Sequence, residues 1–163
     1  MTAVIVEPLA DSLLPRDQRQ SRTALRIARG TQRLLLSLGL SCVPELSLAS
    51  GRRADLVALR GDGEFWIVEI KSSIEDFRVD QKWPHYRQHC DRLFFATAEH
   101  VPLEIFPEDA GLILADDYGA AIIREAPEHR LHAATRRSMM LSFARTAAAR
   151  LQALSDPSGP YER

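Results

Sequence analysis

Several features of common protein classes are missing from this sequence, and each absence narrows what the chain can do. Two cysteines among 163 residues are too few for a disulfide framework, so we expect a reduced compartment and predict a cytoplasmic protein. No apolar run approaches the ~20 residues that cross a bilayer, and the N-terminus lacks the basic start of a secretory signal. No membrane partner is therefore expected.

The chain also lacks a strong excess of charge of either sign. Its formal net charge is -1, with 26% charged and 45% apolar residues, which is typical of a soluble globular protein. Any affinity for nucleic acid must therefore come from a local basic patch. No internal repeat, glycine-rich phosphate loop or Ser-His-Asp arrangement is present. His85 and His89 have a zinc-like spacing, but no further Cys or His cluster completes such a site, so we interpret them as packed or exposed side chains.

The length suits a single domain, with residues 1–16 as an N-terminal arm and 155–163 as a flexible tail. Apolar spacing and turn signals predict an ordered series of elements. These are a helix over 18–38, strands at 42–49, 53–60 and 65–72, a helix from about 80–84 to Cys90, strands at 93–96, 112–115 and 120–123, and a helix over 131–154. Ser73 and Asp76 also predict a capped turn that begins near Ile74. This order predicts an α/β fold with a mixed β-sheet flanked by helices.

The first predicted helix carries arginine along one face. At about 100° per residue, one stripe contains Arg19, Arg22, Arg26, Arg29 and Arg33. Apolar residues fill the opposite face, which is therefore predicted to pack in the core. Like charges at these spacings repel one another. The stripe fits either a solvated surface or a surface that faces an anion.

The third predicted strand ends with two charged side chains on one face. Its first half, Trp66-Ile67-Val68, is apolar on both faces, and Glu69 and Lys71 then follow two residues apart. If the turn over residues 60–64 is symmetric, Asp55 on the second strand faces Glu69 on the third. Two facing carboxylates repel unless a cation lies between them, and hard divalent cations such as Mg²⁺ bind carboxylate oxygens.

Spacing alone leaves two interpretations of these residues open. In one, Asp55 and Glu69 bind a metal ion, and Lys71 orients a water or stabilises transition-state charge. In the other, the carboxylates form salt bridges with Arg52, Arg53 or Lys71, because an isolated D…ExK pattern has many chance matches.

The motif and its surroundings resemble a known family. The segments that carry the resemblance are Arg53-Ala54-Asp55-Leu56, Val68-Glu69-Ile70-Lys71-Ser72-Ser73, Asp76-Phe77, Asp80, Lys82-Trp83, Tyr86, Cys90-Asp91, Phe95-Ala96, Gly111-Leu112 and Ala115-Asp116. Asp55 and Glu69-Ile70-Lys71 on consecutive strands after a helix resemble the PD-(D/E)xK nuclease superfamily. Most of residues 20–150 resembles the MmcB family of bacterial DNA-repair proteins. The resemblance implies a restriction-endonuclease-like core.

The resemblance also implies a metal site. Asp55 and Glu69, with the carbonyl of Ile70, are expected to bind Mg²⁺ or Mn²⁺, and Lys71 is expected to be the catalytic lysine. A further carboxylate often joins such sites, and Glu45 on the first strand is the candidate here.

Contacts to DNA are expected from a second group of residues. Lys82 and Tyr86 have the spacing of a polar residue and a tyrosine in many superfamily members, although lysine stands where glutamine is common. Arg22, Arg26 and Arg29 would draw in the DNA backbone.

Together these observations predict a DNA-repair-associated protein that hydrolyses phosphodiester bonds as a metal-dependent DNA endonuclease. DNA is the expected partner, and the oligomeric state, including a homodimer, stays open. The first alternative is a non-catalytic DNA-binding or adaptor protein on a nuclease scaffold, because the predicted helix 18–38 contains no Asp or Glu for the metal. The second alternative is a protein-binding module in which the charged cluster is only structural.

Overall fold

The computed structural model describes residues 21–158, and its helices and strands follow the predicted order. The helices and strands are α1 (Arg22–Ser37), β1 (Ser41–Ser47), β2 (Arg53–Leu59), β3 (Phe65–Ile70), α2 (Ile74–Val79), β4 (Arg92–Thr97), β5 (Gly111–Ala115), β6 (Ala120–Arg124) and α3 (Ala133–Ser155), with 3₁₀ helices at Trp83–His89 and Leu103–Ile105. The predicted arm over residues 1–16 lies outside the described residues. Ser155, assigned to the flexible tail, is instead the last residue of α3.

Within the described part of the chain, six strands form one sheet in the order β1-β2-β3-β4-β5-β6. The first three strands form an antiparallel meander. β3, β4 and β5 then run parallel, and β6 returns antiparallel to β5. The expected α/β fold with a mixed sheet is therefore confirmed.

Helices cover both faces of this sheet. On one face, α1 packs Ile27 and Leu35 against alternating strand residues such as Leu56 and Val68. On the other face, α3 and the 3₁₀ helix Trp83–His89 pack against the intervening residues of the same strands. Side chains alternate between the faces along a strand, so Asp55 and Glu69 belong to the face that carries the 3₁₀ helix.

The connection after β3 differs in form from the single helix predicted between about residue 80 and Cys90. The chain forms the short helix α2 first, and the Ser73 hydroxyl caps it by accepting a hydrogen bond from the Asp76 N–H at 3.0 Å. A separate 3₁₀ helix then spans Trp83–His89, with Pro84 in its first turn. Proline fits the first turn of a helix but not its interior, which explains the break.

The backbone of α1 touches the turn between β5 and β6. A Cβ atom on Gly30 would lie 2.2 Å from the carbonyl oxygen of Asp116 and 2.4 Å from that of Gly119. Both neighbours are backbone atoms, which cannot move away as a flexible side chain can. Glycine is therefore required here by close packing.

Asp91 ties α3 to the amino end of the parallel strands. Its carboxylate is 1% exposed and accepts hydrogen bonds from the backbone N–H groups of Phe65 and Leu131. Both of its oxygens also accept from Arg136 of α3, at 2.7 and 2.8 Å. A buried carboxylate with this many charge-assisted donors fixes the start of α3 relative to the sheet.

Within residues 21–158, no helix combines the length and the apolar character that a bilayer span requires.

Candidate functional site

The hairpin register brings Asp55 and Glu69 together, as the symmetric turn predicted. Leu56 pairs with Val68, so one further step along the ladder places Asp55 beside Glu69. The two side chains exchange bonds with the opposite backbone. The Asp55 N–H donates to Glu69 Oε1 at 3.1 Å, and the Ile70 N–H donates to Asp55 Oδ2 at 2.8 Å.

Each carboxylate therefore has a structural role at the point where β2 and β3 stop pairing. Backbone N–H groups at a strand end need partners once the ladder is interrupted, and Asp55 and Glu69 supply them. This role uses one oxygen of each carboxylate. Among the described residues, Asp55 Oδ1 and Glu69 Oε2 make no such bond, so each side chain keeps one oxygen for a ligand.

Burial makes these two negative charges unfavourable. Glu69 is 3% exposed, and its pKa is raised well above the ordinary value by burial first and by the charge of Asp55 second. Burial also raises the pKa of Asp55, against the opposing effects of the Ile70 N–H and the Lys71 charge. A cation near both groups would remove this cost.

Lys71 continues β3 into the same cleft. Its backbone N–H donates to the carbonyl of Ala96, and its side chain is only 6% exposed. The ammonium lies 2.7 Å from Asp80 Oδ2. Burial alone would lower the pKa of Lys71, but the bond to Asp80 and the charge of Glu69 outweigh burial and raise it. Lys71 is therefore a fixed positive charge and a hydrogen-bond donor rather than a general base.

These side chains line a cleft of about 420 Å³. Its walls are formed by Ser21, Ala24, Arg52, Arg53, Asp55, Glu69, Ile70, Lys71, Ser72, Asp76, Asp80, Lys82 and Tyr86. Four cationic side chains thus face the same space as four carboxylates. The cleft lies at the carboxyl end of β3, where α1 begins, a position at which open α/β sheets commonly bind ligands.

The donor atoms of the cleft suit a hard divalent cation. Asp55 and Glu69 offer carboxylate oxygens from adjacent strands, and the cleft also includes Ile70, whose carbonyl is the predicted third ligand. Among residues 21–158, however, no three His, Cys, Asp or Glu side chains are arranged to hold a metal ion together. A cation held here would therefore have two carboxylate ligands from the described residues and would need water or substrate oxygens for the rest.

Glu45, the candidate for a further carboxylate, is not among the residues that line the cleft. It lies on β1 with a φ of 48°, and it is 7% exposed. Its Oε1 is 3.5 Å from the Arg53 guanidinium, while its backbone carbonyl accepts a bond from Arg150 of α3. The side chain is thus paired with Arg53, which lines the cleft, and the charge of Glu45 contributes to the raised pKa of Asp55.

Among the described residues, no arginine of the α1 stripe lines the cleft. Arg26 forms a 2.7 Å ion pair with Asp117, and Arg33 donates to the carbonyls of Asp117 and Tyr118. An acidic partner for Arg26 comes from the β5–β6 turn, which the sequence pattern of the stripe could not reveal. Arg22 and Arg29 are exposed on the same helix.

The structure brings Lys82 and Tyr86 into the cleft, as their spacing predicted. Tyr86 is 8% exposed, and its hydroxyl donates to the carbonyl of Arg53 at 3.1 Å, so its ring is packed against the sheet. Lys82 is exposed at the start of the 3₁₀ helix. Lys82 is therefore accessible to a phosphate, whereas Tyr86 mainly shapes the wall.

Reasoning from sequence assigned no role in the site to two acidic residues of the cleft, although Asp76 belongs to the predicted capped turn. Asp80 binds Lys71, and Asp76 accepts bonds from the backbone N–H and the hydroxyl of Ser72. Both lie beyond the end of β3, so neither strand nor helix periodicity relates them to Glu69. For a place in the cleft, their sequence signal was their position among the segments that carry the family resemblance.

Comparison with known proteins identifies the family. Residues 12–158 match the model of the family described as DNA repair protein MmcB-like. The chain belongs to the MmcB-like family. A solved structure of a Silicibacter pomeroyi protein of unknown function is 43% identical and has a TM-score of 0.83, with 87% of this chain and 97% of that chain covered. No curated protein matches. Membership associates this MmcB-like protein with DNA repair.

Proposed function

We propose that this MmcB-like protein is a metal-dependent DNA endonuclease of the PD-(D/E)xK type that hydrolyses phosphodiester bonds during DNA repair. The observation that carries the proposal is the placement of a buried carboxylate (Glu69), a half-buried carboxylate that faces it (Asp55) and a buried ammonium (Lys71) in one cleft. Burying such a cluster is costly, and a structural role for the carboxylates does not require that both be this strongly desolvated.

In this proposal, Asp55 and Glu69 bind Mg²⁺ or Mn²⁺ through the oxygens that are not bonded to the backbone, with the Ile70 carbonyl as an additional donor. The bound cation would supply Lewis-acid activation of the phosphodiester and of a water molecule. Lys71 places a positive charge and a donor beside the phosphate, where negative charge develops during hydrolysis. Its raised pKa keeps it protonated for this role.

Basic residues around the cleft hold the DNA backbone in this proposal. Arg52, Arg53 and Lys82 line the cleft together with the carboxylates. On α1, Arg22, Arg26 and Arg29 would extend the contact along the strand. Each of these side chains offers a sequence-independent contact to phosphate, which positions the substrate without reading its bases.

The test is cleavage of labelled DNA by the purified chain. Single-stranded, gapped, branched and abasic duplex substrates would be incubated with Mg²⁺, with Mn²⁺ and with a chelator. We expect metal-dependent products that disappear in Glu69→Gln and Lys71→Met, with a loss of roughly 10²-fold or more in rate. Unchanged cleavage in either variant would falsify the assignment of the site.

A matched control separates loss of chemistry from loss of folding. Glu108 is exposed and lies outside the cleft, so Glu108→Gln should cleave as the wild type does. Each variant should also retain the wild-type far-ultraviolet circular dichroism spectrum.

A second function, DNA binding without cleavage, is favoured by one specific observation. The described residues supply only two carboxylates to the metal position, and no third ligand side chain joins them. A site with so few ligands can keep its shape while it binds metal weakly. Salt-sensitive DNA binding with no product under any metal would support this function over the endonuclease.

A further inference from the structure

Asp80 has no role in the site as proposed so far, although it is the direct partner of Lys71. It follows the last residue of α2, and its side chain lines the cleft and is 20% exposed. Its two oxygens make different contacts. Oδ2 lies 2.7 Å from the Lys71 ammonium, and Oδ1 accepts the backbone N–H of Lys82 at 3.0 Å.

The second contact matters because it fixes the carboxylate that holds the lysine. An exposed aspartate is usually free to rotate, but Asp80 is anchored by the Lys82 N–H at the start of the 3₁₀ helix. Lysine has a long, flexible stem with several rotatable bonds, so its amine needs a fixed partner to stay in one place. Asp80 provides that partner from the opposite wall.

No other charge seen around Lys71 can do the same. Asp55 and Glu69 attract the ammonium, but among the described residues neither lies within salt-bridge distance of it, and one oxygen of each is bonded to the opposite backbone. In the proposed function, their remaining oxygens bind a cation. Asp76 is bonded to Ser72 rather than to the lysine. Among the described residues, Asp80 is the carboxylate within salt-bridge distance of Lys71.

We propose that Asp80 is a positioning residue that holds the Lys71 ammonium in the cleft. The role of Lys71 in hydrolysis rests on the proposed function, but its fixation by Asp80 does not. Asp80 also links the Lys71 ammonium to the backbone of Lys82, so one side chain joins β3 to the start of the 3₁₀ helix across the cleft.

Lysine acetylation can test this proposal directly, because the chain contains only two lysines and both line this cleft. The full-length protein would be treated with acetic anhydride at neutral pH. Mass spectrometry would follow acetylation of Lys71 and Lys82 separately, and the exposed Lys82 would serve as an internal reference. In the wild type, we expect Lys71 to react at least about tenfold more slowly than Lys82. Equal rates would overturn the proposal without any variant.

Asp80→Asn removes the charge and keeps an oxygen that can accept the Lys82 N–H. We expect it to raise the Lys71 acetylation rate about tenfold, because the neutral amide cannot hold the ammonium through a bond between opposite charges, while the Lys82 rate stays unchanged. Asp76→Asn is the matched control, because its side chain does not touch Lys71, and it should leave the Lys71 rate as in the wild type. Asp80→Glu keeps the charge and should preserve most of the protection. If Lys71 stays equally protected in a folded Asp80→Asn protein, Asp80 does not position it.

Kinetics separate this inference from the proposed function. If the wild type cleaves DNA, Asp80→Asn should lower kcat about tenfold with KM for DNA unchanged, and Asp80→Glu should restore part of kcat. If the wild type cleaves no substrate, the endonuclease proposal fails, while the acetylation rates still decide the role of Asp80. An increased KM with unchanged kcat would contradict positioning of a group that acts in the chemical step.

Discussion

At the scale of the residue, Glu69 is a negative charge held where burial opposes it. In the metal-free protein, Glu69→Gln should raise the free energy of unfolding at neutral pH by about 1 kcal/mol, because the amide removes the repulsion from Asp55 and keeps an oxygen for the Asp55 N–H. Thermal unfolding in the presence of a chelator measures this difference. Lower stability in the variant would mean that the charge of Glu69 stabilises the fold.

The same residue predicts a dependence on pH. Since the folded-state pKa of Glu69 lies above the ordinary value of 4.5, the folded state binds the proton more tightly than the unfolded state. The wild type should therefore lose stability as pH rises from 4.5 through the raised value, while Glu69→Gln should not. Unfolding curves collected over this range, with Glu108→Gln as the control, test the sign. Saturating Mn²⁺ should reduce the difference by stabilising only the wild type.

Asp91 differs from Glu69, because it is a buried carboxylate whose two oxygens both accept hydrogen bonds from the surrounding structure. Burial opposes its ionisation, but bonds from Arg136, Leu131 and Phe65 outweigh burial and lower its pKa. Asp91→Ala should lower the free energy of unfolding by about 3–5 kcal/mol, because it leaves Arg136 without its partner. Asp109→Ala, at a carboxylate that is 68% exposed, should cost at most about 1 kcal/mol. Chemical denaturation of both variants gives the comparison.

The contribution of Asp91 should also disappear in acid. Its folded-state pKa lies below the ordinary value of 3.8, so its stabilising effect is complete above that value and is lost as pH falls through the lower one. The stability gap between the wild type and Asp91→Ala should therefore close in strong acid. A gap that does not change with pH would show that the carboxylate charge contributes nothing.

At the scale of the element, the contact between α1 and the β5–β6 turn has a clear test. In an unobstructed helix, Gly→Ala would stabilise the protein by about 1 kcal/mol through helix propensity. At Gly30, the new methyl group would overlap two carbonyl oxygens, so we expect a loss of about 1–3 kcal/mol instead. Gly61→Ala, where no atom lies within 4 Å of the new Cβ, is the control and should be nearly neutral. Stabilisation by Gly30→Ala would show that the helix can move away from the turn.

Structural features could be predicted from sequence where the residues that determine them lie close together along the chain. The register of β2 and β3 followed from the turn between them, and with it the meeting of Asp55 and Glu69. The pairing of Arg26 with Asp117 could not be predicted. The two residues are 91 positions apart, and no helix or strand periodicity relates one to the other. The ion pair between Lys71 and Asp80 could not be predicted either. Lys71 follows β3 and Asp80 follows α2, and the path of the chain between them is not set by a single periodic element.

At the scale of the whole molecule, a net charge of -1 limits how the protein can hold DNA. If Arg52, Arg53 and Lys82 make the main phosphate contacts, the slope of log K against log salt should be about -2.7, which corresponds to roughly 40-fold weaker binding between about 50 and 200 mM salt. Fluorescence anisotropy with a short labelled duplex measures the slope. Arg52→Gln should make the slope shallower by about one. A slope near zero would exclude binding through this cleft.

The strand order carries a consequence for how the chain folds during its synthesis. Each strand of the sheet pairs with the strand made just before it, so the sheet can grow as the ribosome releases the chain. The helix α1 precedes every strand of the sheet, yet much of its packing partner lies in β5 and β6, the last two strands to emerge. Its first residues also close one wall of the cleft. The nascent protein should therefore complete the cleft only after β6 has emerged, so that a helix made before the whole sheet docks on it only when the sheet is complete.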